Sequence, residues 1–102
     1  MKVYISGKIT GLPKDEYIAR FAAAEERLKG GGFSVINPAK TNSTLPEDTT
    51  YEQYMQMSLM MLTFCDAIYM LDGWKESKGA VREYNRAKSI GLSVIYETEK
   101  EG

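Results

Sequence analysis

Four short apolar runs punctuate the chain, separated by three longer stretches whose apolar residues recur at helical spacing. The runs are Val3-Tyr4-Ile5, Phe33-Ser34-Val35-Ile36, Ala67-Ile68-Tyr69-Met70-Leu71 and Leu92-Ser93-Val94-Ile95-Tyr96. Rich in β-branched and aromatic residues and bounded by Gly, Pro, Asn or Asp, they read as strands. The third is apolar throughout, as expected of a central parallel strand buried on both faces. Between the first two, Tyr17, Ile18, Phe21, Ala22, Ala24 and Leu28 mark a helix. Gly30-Gly31-Gly32 ends it, because glycine readily takes the left-handed conformation of a helix terminus. Residues 39–50 read as a polar loop. Thr49 followed by Glu52 then fits a capping box for a helix from Tyr51 to Phe64, which carries Met55, Met57, Met60 and Met61. Ser77 is a good N-cap for a third helix ending at Gly91. The polar tail from Glu97 to Gly102 is expected to fray.

The resulting order is βαβαβαβ. Right-handed crossovers turn that alternation into a parallel sheet with helices on both faces. The expectation is one α/β domain over residues 1–102, a small doubly wound (flavodoxin/Rossmann-like) three-layer sandwich with strand order 2-1-3-4. In such sheets ligands bind beyond the carboxyl ends of the strands, where the winding reverses. Here that point lies between the first and third strands, so the loops leaving them should meet.

Charge and composition narrow what can bind there. Thirteen basic and fourteen acidic side chains leave a net charge of -1, without the basic footprint of a duplex DNA or RNA binder. A small anion needs only a few backbone N–H groups and one or two cations. The chain has no histidine. That removes imidazole bases, Ser-His triads and most zinc sites, and no metal or cofactor is expected. Acid–base or nucleophilic chemistry therefore falls to carboxylates, Tyr, Lys or the lone Cys65, which reads as a buried core residue. The apolar runs are too short to span a bilayer, and Met1-Lys2-Val3 leads straight into a strand. A cytoplasmic protein without a membrane partner is the expectation.

The first loop, Ser6-Gly7-Lys8-Ile9-Thr10-Gly11, has the glycines that let backbone N–H groups approach a phosphate or sugar, with Lys8 and two hydroxyls as further donors. It is neither a Walker loop nor a dinucleotide fingerprint, and taken alone an ordinary tight turn is the plainer reading. The second, Leu71-Asp72-Gly73-Trp74-Lys75-Glu76-Ser77-Lys78-Gly79, opens a helix carrying Arg82 and Glu83. That helix start aims free N–H groups and a positive dipole end at the cleft. Glu83 follows Gly79 by about one turn, on the same face, leaving room for a ligand beside a carboxylate. A solvated glutamate paired with Arg82, Arg86 or Lys78 is the plainer alternative.

Tyr4-Ile5-Ser6-Gly7, Leu71-Asp72-Gly73-Trp74 and Ser77-x-Gly79-x-x-x-Glu83, in that order and spacing, resemble the nucleoside 2-deoxyribosyltransferase superfamily. The resemblance runs from Lys2 to Tyr96 and is greatest to its short bacterial and phage members, beside the deoxynucleoside monophosphate N-glycosidases. It implies that Glu83 is the nucleophile at the anomeric carbon and that the Tyr4 hydroxyl orients it. Ser77 and Gly79 would grip a 5′-hydroxyl or 5′-phosphate, helped by the first loop (Ser6, Gly7, Lys8, Gly11). Asp72 would contact or protonate the leaving base. The chain departs from the resemblance at Lys8, where proline is usual, and at Ser58, where relatives often carry an acid. The resemblance also implies a site completed by a neighbouring subunit.

A carboxylate that forms a glycosyl ester needs neither metal nor histidine, as in retaining glycoside hydrolases. The expected function is thus cleavage or transfer at the N-glycosidic bond of a (deoxy)nucleoside or nucleoside 5′-monophosphate. A non-catalytic nucleotide-binding module on the same fold is the alternative, and an interaction protein on a borrowed fold a third. Trp74 has two readings, a ring that stacks on a nucleobase or one folded over the third helix. The methionine-rich helix 51–64 is read as core or as the interface of a homodimer.

Overall fold

Alternation along the first strand divides the interior in two. In the computed structural model, which describes residues 1–98, strand β1 spans Lys2–Ser6. Val3 and Ile5 face one side and pack with Phe21, Ala24 and Leu28 of helix α1, Lys14–Gly30. Tyr4 faces the other, among Leu62, Ile68, Met70 and Ala80. Successive side chains of a strand point to opposite faces, so one short run serves two cores.

The remaining elements are β2 (Ser34–Ile36), α2 (Pro38–Asn42), α3 (Tyr51–Leu62), β3 (Ala67–Met70), a single 3-10 turn at Trp74–Glu76, α4 (Lys78–Ser89) and β4 (Ser93–Tyr96). All strand pairs are parallel, in the order β2-β1-β3-β4. The register sets Val3 beside Val35 and Ala67, and Ser6 beside Met70. Helix α1 covers one face, and α3 with α4 the other. This is the three-layer, doubly wound sheet the pattern implied. Among the described residues no helix is long and apolar enough to cross a membrane.

Three local features differ from the sequence reading. The segment after β2 is not all loop, because Asn37 caps α2 by accepting a hydrogen bond from the Lys40 N–H at 3.3 Å, with Pro38 in the first turn. Asn-Pro is a helix start as well as a turn signal. The capping box sits one residue later than Thr49–Glu52. Thr50 Oγ1 accepts from the Gln53 N–H at 3.1 Å, and Gln53 Oε1 accepts from the Thr50 N–H at 2.9 Å. Thr49 instead donates to the Pro46 carbonyl. Both pairs fit the pattern; Thr50–Gln53 is the pair the structure uses.

The third difference is at the tail. Glu97 is held, not frayed. Its N–H donates to the Met70 carbonyl at 2.9 Å, while its carboxylate accepts from Arg27 and from the Asp72 N–H, each at 2.7 Å. Thr98 Oγ1 donates to Asp72 Oδ1 at 2.9 Å. The rest of that segment lies outside the described residues. Helix α3 buries Met55 and Leu62 but leaves Met60 and nearby Phe64 60% exposed, the surface a second copy would cover in the expected homodimer.

The exit from β1 is the tightest point of the sheet. The Leu71 N–H donates to the Ser6 carbonyl at 2.8 Å, and a methyl group at Gly7 would stand 2.7 Å from Leu71 Cδ1. Gly7 is thus required by packing, whatever it does for a ligand. Gly7→Ala is expected to destabilise the domain by about 1–3 kcal/mol through overpacking. Chemical denaturation checks this, and an unchanged midpoint would show that Leu71 moves aside freely.

Candidate active site

Glu83 owes its position to the start of α4. Gly73, at φ 84°, turns the chain out of β3 into the 3-10 turn. Ser77 then caps α4, its Oγ accepting from the Ala80 N–H at 3.1 Å. The next full turn brings Glu83 against the end of β1. The residue is 7% exposed. Tyr4 donates to Glu83 Oε2 at 2.5 Å, and Ser6 donates to Glu83 Oε1 at 2.7 Å. Tyr4 and Ser6 are two apart on β1, so the strand's pleat aims both hydroxyls at one carboxylate. Ser58, buried on α3, stands beside them as a third hydroxyl and pulls the pKa of both Glu83 and Tyr4 down.

The carboxylate has hydroxyl partners and, among the described residues, no lysine or arginine paired with it. Burial pushes its pKa above the ordinary glutamate value, against the opposing pull of Tyr4, Ser6 and Ser58. Tyr4 is driven well above the ordinary tyrosine value, first by burial and then by the neighbouring Glu83 charge. The pair therefore consists of a proton-holding phenol and a carboxylate that is costly to ionise. A structural surface glutamate has neither property.

Glu83 lines a cavity of about 930 Å³ over the carboxyl ends of the strands. The cavity meets Gly7 and Thr10 of the first loop, and Ser77, Lys78 and Gly79 of the second. The first-turn N–H groups of Lys78 and Gly79 have no intrahelical acceptor. Gly79 also lets α4 approach α3, since a methyl there would lie 3.3 Å from Met55 Sδ and 3.6 Å from the Tyr51 hydroxyl. Four aromatic rings, Tyr17, Phe21, Tyr51 and Tyr54, give the cavity apolar walls, and Lys14 joins Lys78 as a cation at its edge.

The sequence reading placed Glu83, Tyr4, Ser6, Gly7, Ser77 and Gly79 together, and the structure brings these together. Four other residues stand elsewhere. Asp72 holds Thr98 and Glu97 on the outer side of β3 and does not line the cavity. Trp74 is 5% exposed and packs on Tyr84 with ring centroids 4.5 Å apart, so it is folded onto α4 and offers no face to a base. Its indole N–H is buried and has no partner among the described residues. Lys8 is not a lining residue, and its ammonium pairs at 3.7 Å with Glu76, which is. Gly11, at φ +88°, only turns the chain before α1.

Missed by the sequence reading were Lys14, the aromatic walls and the segment after β2, which brings Asn42 and Glu47 to the cavity. The Tyr51–Tyr54 spacing of three was a visible signal, since it sets both rings on one side of a helix. Among the described residues no group of three His, Cys, Asp or Glu side chains is placed to hold a metal ion.

A family model described as a domain of unknown function, DUF4406, matches residues 1–96. The chain belongs to this family. No curated protein matches it. Among solved structures, the DUF4406 chain is similar to the CMP N-glycosidase BcmB of Clostridium botulinum. They share 18% sequence identity with a TM-score of 0.64, over 100% of this chain and 75% of that one. At that identity the likeness is one of fold. It places the DUF4406 sheet and its helices in the same α/β arrangement as that protein.

Burial of Glu83 has a direct consequence for stability. A raised folded-state pKa means the native protein holds a proton the unfolded chain has lost, so stability falls as pH rises through that window. Glu83→Gln removes the titration. The variant's stability relative to the parent is expected to grow from the ordinary glutamate pKa upward, then level off above the folded pKa. Denaturation midpoints of both proteins across pH check the sign, and parallel curves would place Glu83 in solvent.

Proposed function

We propose that this DUF4406 domain cleaves the N-glycosidic bond of a nucleoside 5′-monophosphate or deoxynucleoside through a sugar ester on Glu83. The carrying observation is the buried Glu83 carboxylate, held by Tyr4 and Ser6 with no counter-cation among the described residues, in the wall of a cavity with room for a nucleotide. A Glu83 oxygen attacks C1′ while the C1′–N bond breaks, and the departing base keeps the bonding pair and takes up a proton. Water then attacks C1′, breaks the ester and restores the carboxylate. An acceptor base in place of water would give transfer.

Each part of the cavity suits one part of that substrate. The Lys78 and Gly79 N–H groups, the Ser77 hydroxyl and Lys14 suit a 5′-phosphate, because a helix start favours negative charge. Tyr4 and Ser6 fix the carboxylate's orientation and leave its negative charge unneutralised for an oxocarbenium-like sugar. Aromatic walls suit a planar base. The fold it shares with BcmB, named as a CMP N-glycosidase, supports the same reading.

Base release, read by chromatography from a panel of ribo- and deoxyribonucleosides and their 5′-monophosphates, tests the proposal. Release is expected from the native protein and none from Glu83→Ala, with the fold retained. Tight binding of a nucleotide without any release would instead make the domain a binding module.

Two finer outcomes follow from the site's electrostatics. Turnover requires the Glu83 carboxylate, so the acid limb of the pH profile should lie above that of an ordinary glutamate. Tyr4→Phe removes the orienting donor and is expected to lower turnover about a hundredfold with little change in substrate affinity. An acid limb at the ordinary glutamate pKa, or an unaffected Tyr4→Phe variant, would take Tyr4 and burial out of the mechanism.

A further inference from the structure

Three carboxylates line the cavity, and two are already engaged. Glu83 is clasped by hydroxyls, and Glu76 pairs with Lys8 at 3.7 Å. Glu47, in the segment 43–50 between α2 and α3, has no ion pair or side-chain hydrogen bond among the described residues. On the same stretch of wall, Asn42 keeps its side-chain carbonyl oxygen buried and, among the described residues, without a hydrogen-bond donor. With that oxygen closed off, the end of the Asn42 amide that a ligand can reach is its Nδ2, a hydrogen-bond donor.

Sheet order says which part of a nucleotide would reach this wall. Asn42 and Glu47 follow β2, which lies on the far side of β1 from β3, and Ser77–Gly79 follow β3. Neighbouring strands are spaced by about 4.8 Å, so the two exits stand roughly 10 Å apart with Glu83 at the β1 end between them. A substrate with its phosphate at α4 and C1′ at Glu83 projects its base toward the β2 side.

Resting on the glycosidic reading of the site, we propose that Glu47 and Asn42 read the base edge and select bases bearing an exocyclic amino group. A carboxylate accepts hydrogen bonds and donates none, so it pairs with the amino group of cytosine or adenine and is repelled by the keto oxygen that replaces it in uracil or hypoxanthine. The Asn42 Nδ2 adds a donor on the same wall, matching the ring nitrogen beside that amino group, which accepts in cytosine and adenine and carries a hydrogen in uracil and hypoxanthine. The aromatic rings hold any base, and these two side chains distinguish among them.

Calorimetric titration of Glu83→Ala, which leaves the ligand intact, with CMP against UMP and AMP against IMP tests this apart from the chemistry. The amino member of each pair is expected to bind about tenfold tighter, the scale of one good edge contact. Adding Glu47→Gln, which presents a donor as well as an acceptor, should level both pairs. Equal affinities with Glu47 in place, or a preference that survives Glu47→Gln, would overturn the assignment. A binding preference without base release from the native protein would support the base reader while refuting the glycosidic reading. Failure of all four nucleotides to bind would remove both.

Discussion

The site depends on a carboxylate buried at the crossing of β1 and α4 with hydroxyl groups for partners. Taking Glu83 out of water is costly, and Tyr4, Ser6 and Ser58 return only part of what solvent gave. That balance requires the strand and the helix to be held in fixed relation, since a shift of either would leave the carboxylate unpaired. Two features hold it. Gly7 and Leu71 clamp the ends of β1 and β3 together, and the Ser77 cap sets where α4 begins. The Arg82 guanidinium then ties α4 to Glu52 of α3 through two 3.0 Å hydrogen bonds on the outer surface. That exposed pair adds little stability by itself, yet it joins the two helices whose hydroxyl and carboxylate meet inside.

Much of this was legible in the sequence, because the relevant signals are local. Two-residue and helical periodicities fix the elements, and right-handed crossover geometry fixes how successive ones stack. Glu83 and Tyr4 were paired only through the resemblance to the nucleoside 2-deoxyribosyltransferase superfamily, whose short motifs fall at the end of β1 and the opening of α4. What stayed hidden rests on side-chain direction after folding. Asp72 and Trp74 sit in the expected loop, but one turns outward to Thr98 and the other inward onto Tyr84. Glycine at 73 allows either course, and nothing local chooses between them. The choice is made by distant residues, the β4 end for Asp72 and the α4 face for Trp74.

The wall after β2 was hidden for a different reason. A stretch rich in Thr, Asn, Ser and Pro has no periodicity to read, and the first turn of α2 is set by one cap and one proline. Its position over the cavity follows from Ala39, which inserts into the α1-side core and anchors the segment where β2 ends. A single small apolar residue in a polar run carries that information. Composition averages it away.

Among the described residues no lysine or arginine pairs with Glu83, and this bears on which chemistry the arrangement favours. An arginine or lysine there would make the carboxylate easier to ionise, but it would also bring positive charge against a sugar that becomes cationic as its bond to the base breaks. Neutral hydroxyls orient the carboxylate without that repulsion. The cavity's lysines, Lys14 and Lys78, line its edge along with the free N–H groups of α4, where a phosphate's charge would sit. Negative charge at the proposed reacting carbon and positive charge at the proposed anchoring group thus come from different elements, the buried face of α4 against β1 and the exposed start of α4 with α1. A generic anion pocket would need only the second. The first, with its cost of burial, is what the proposed displacement at C1′ would draw on.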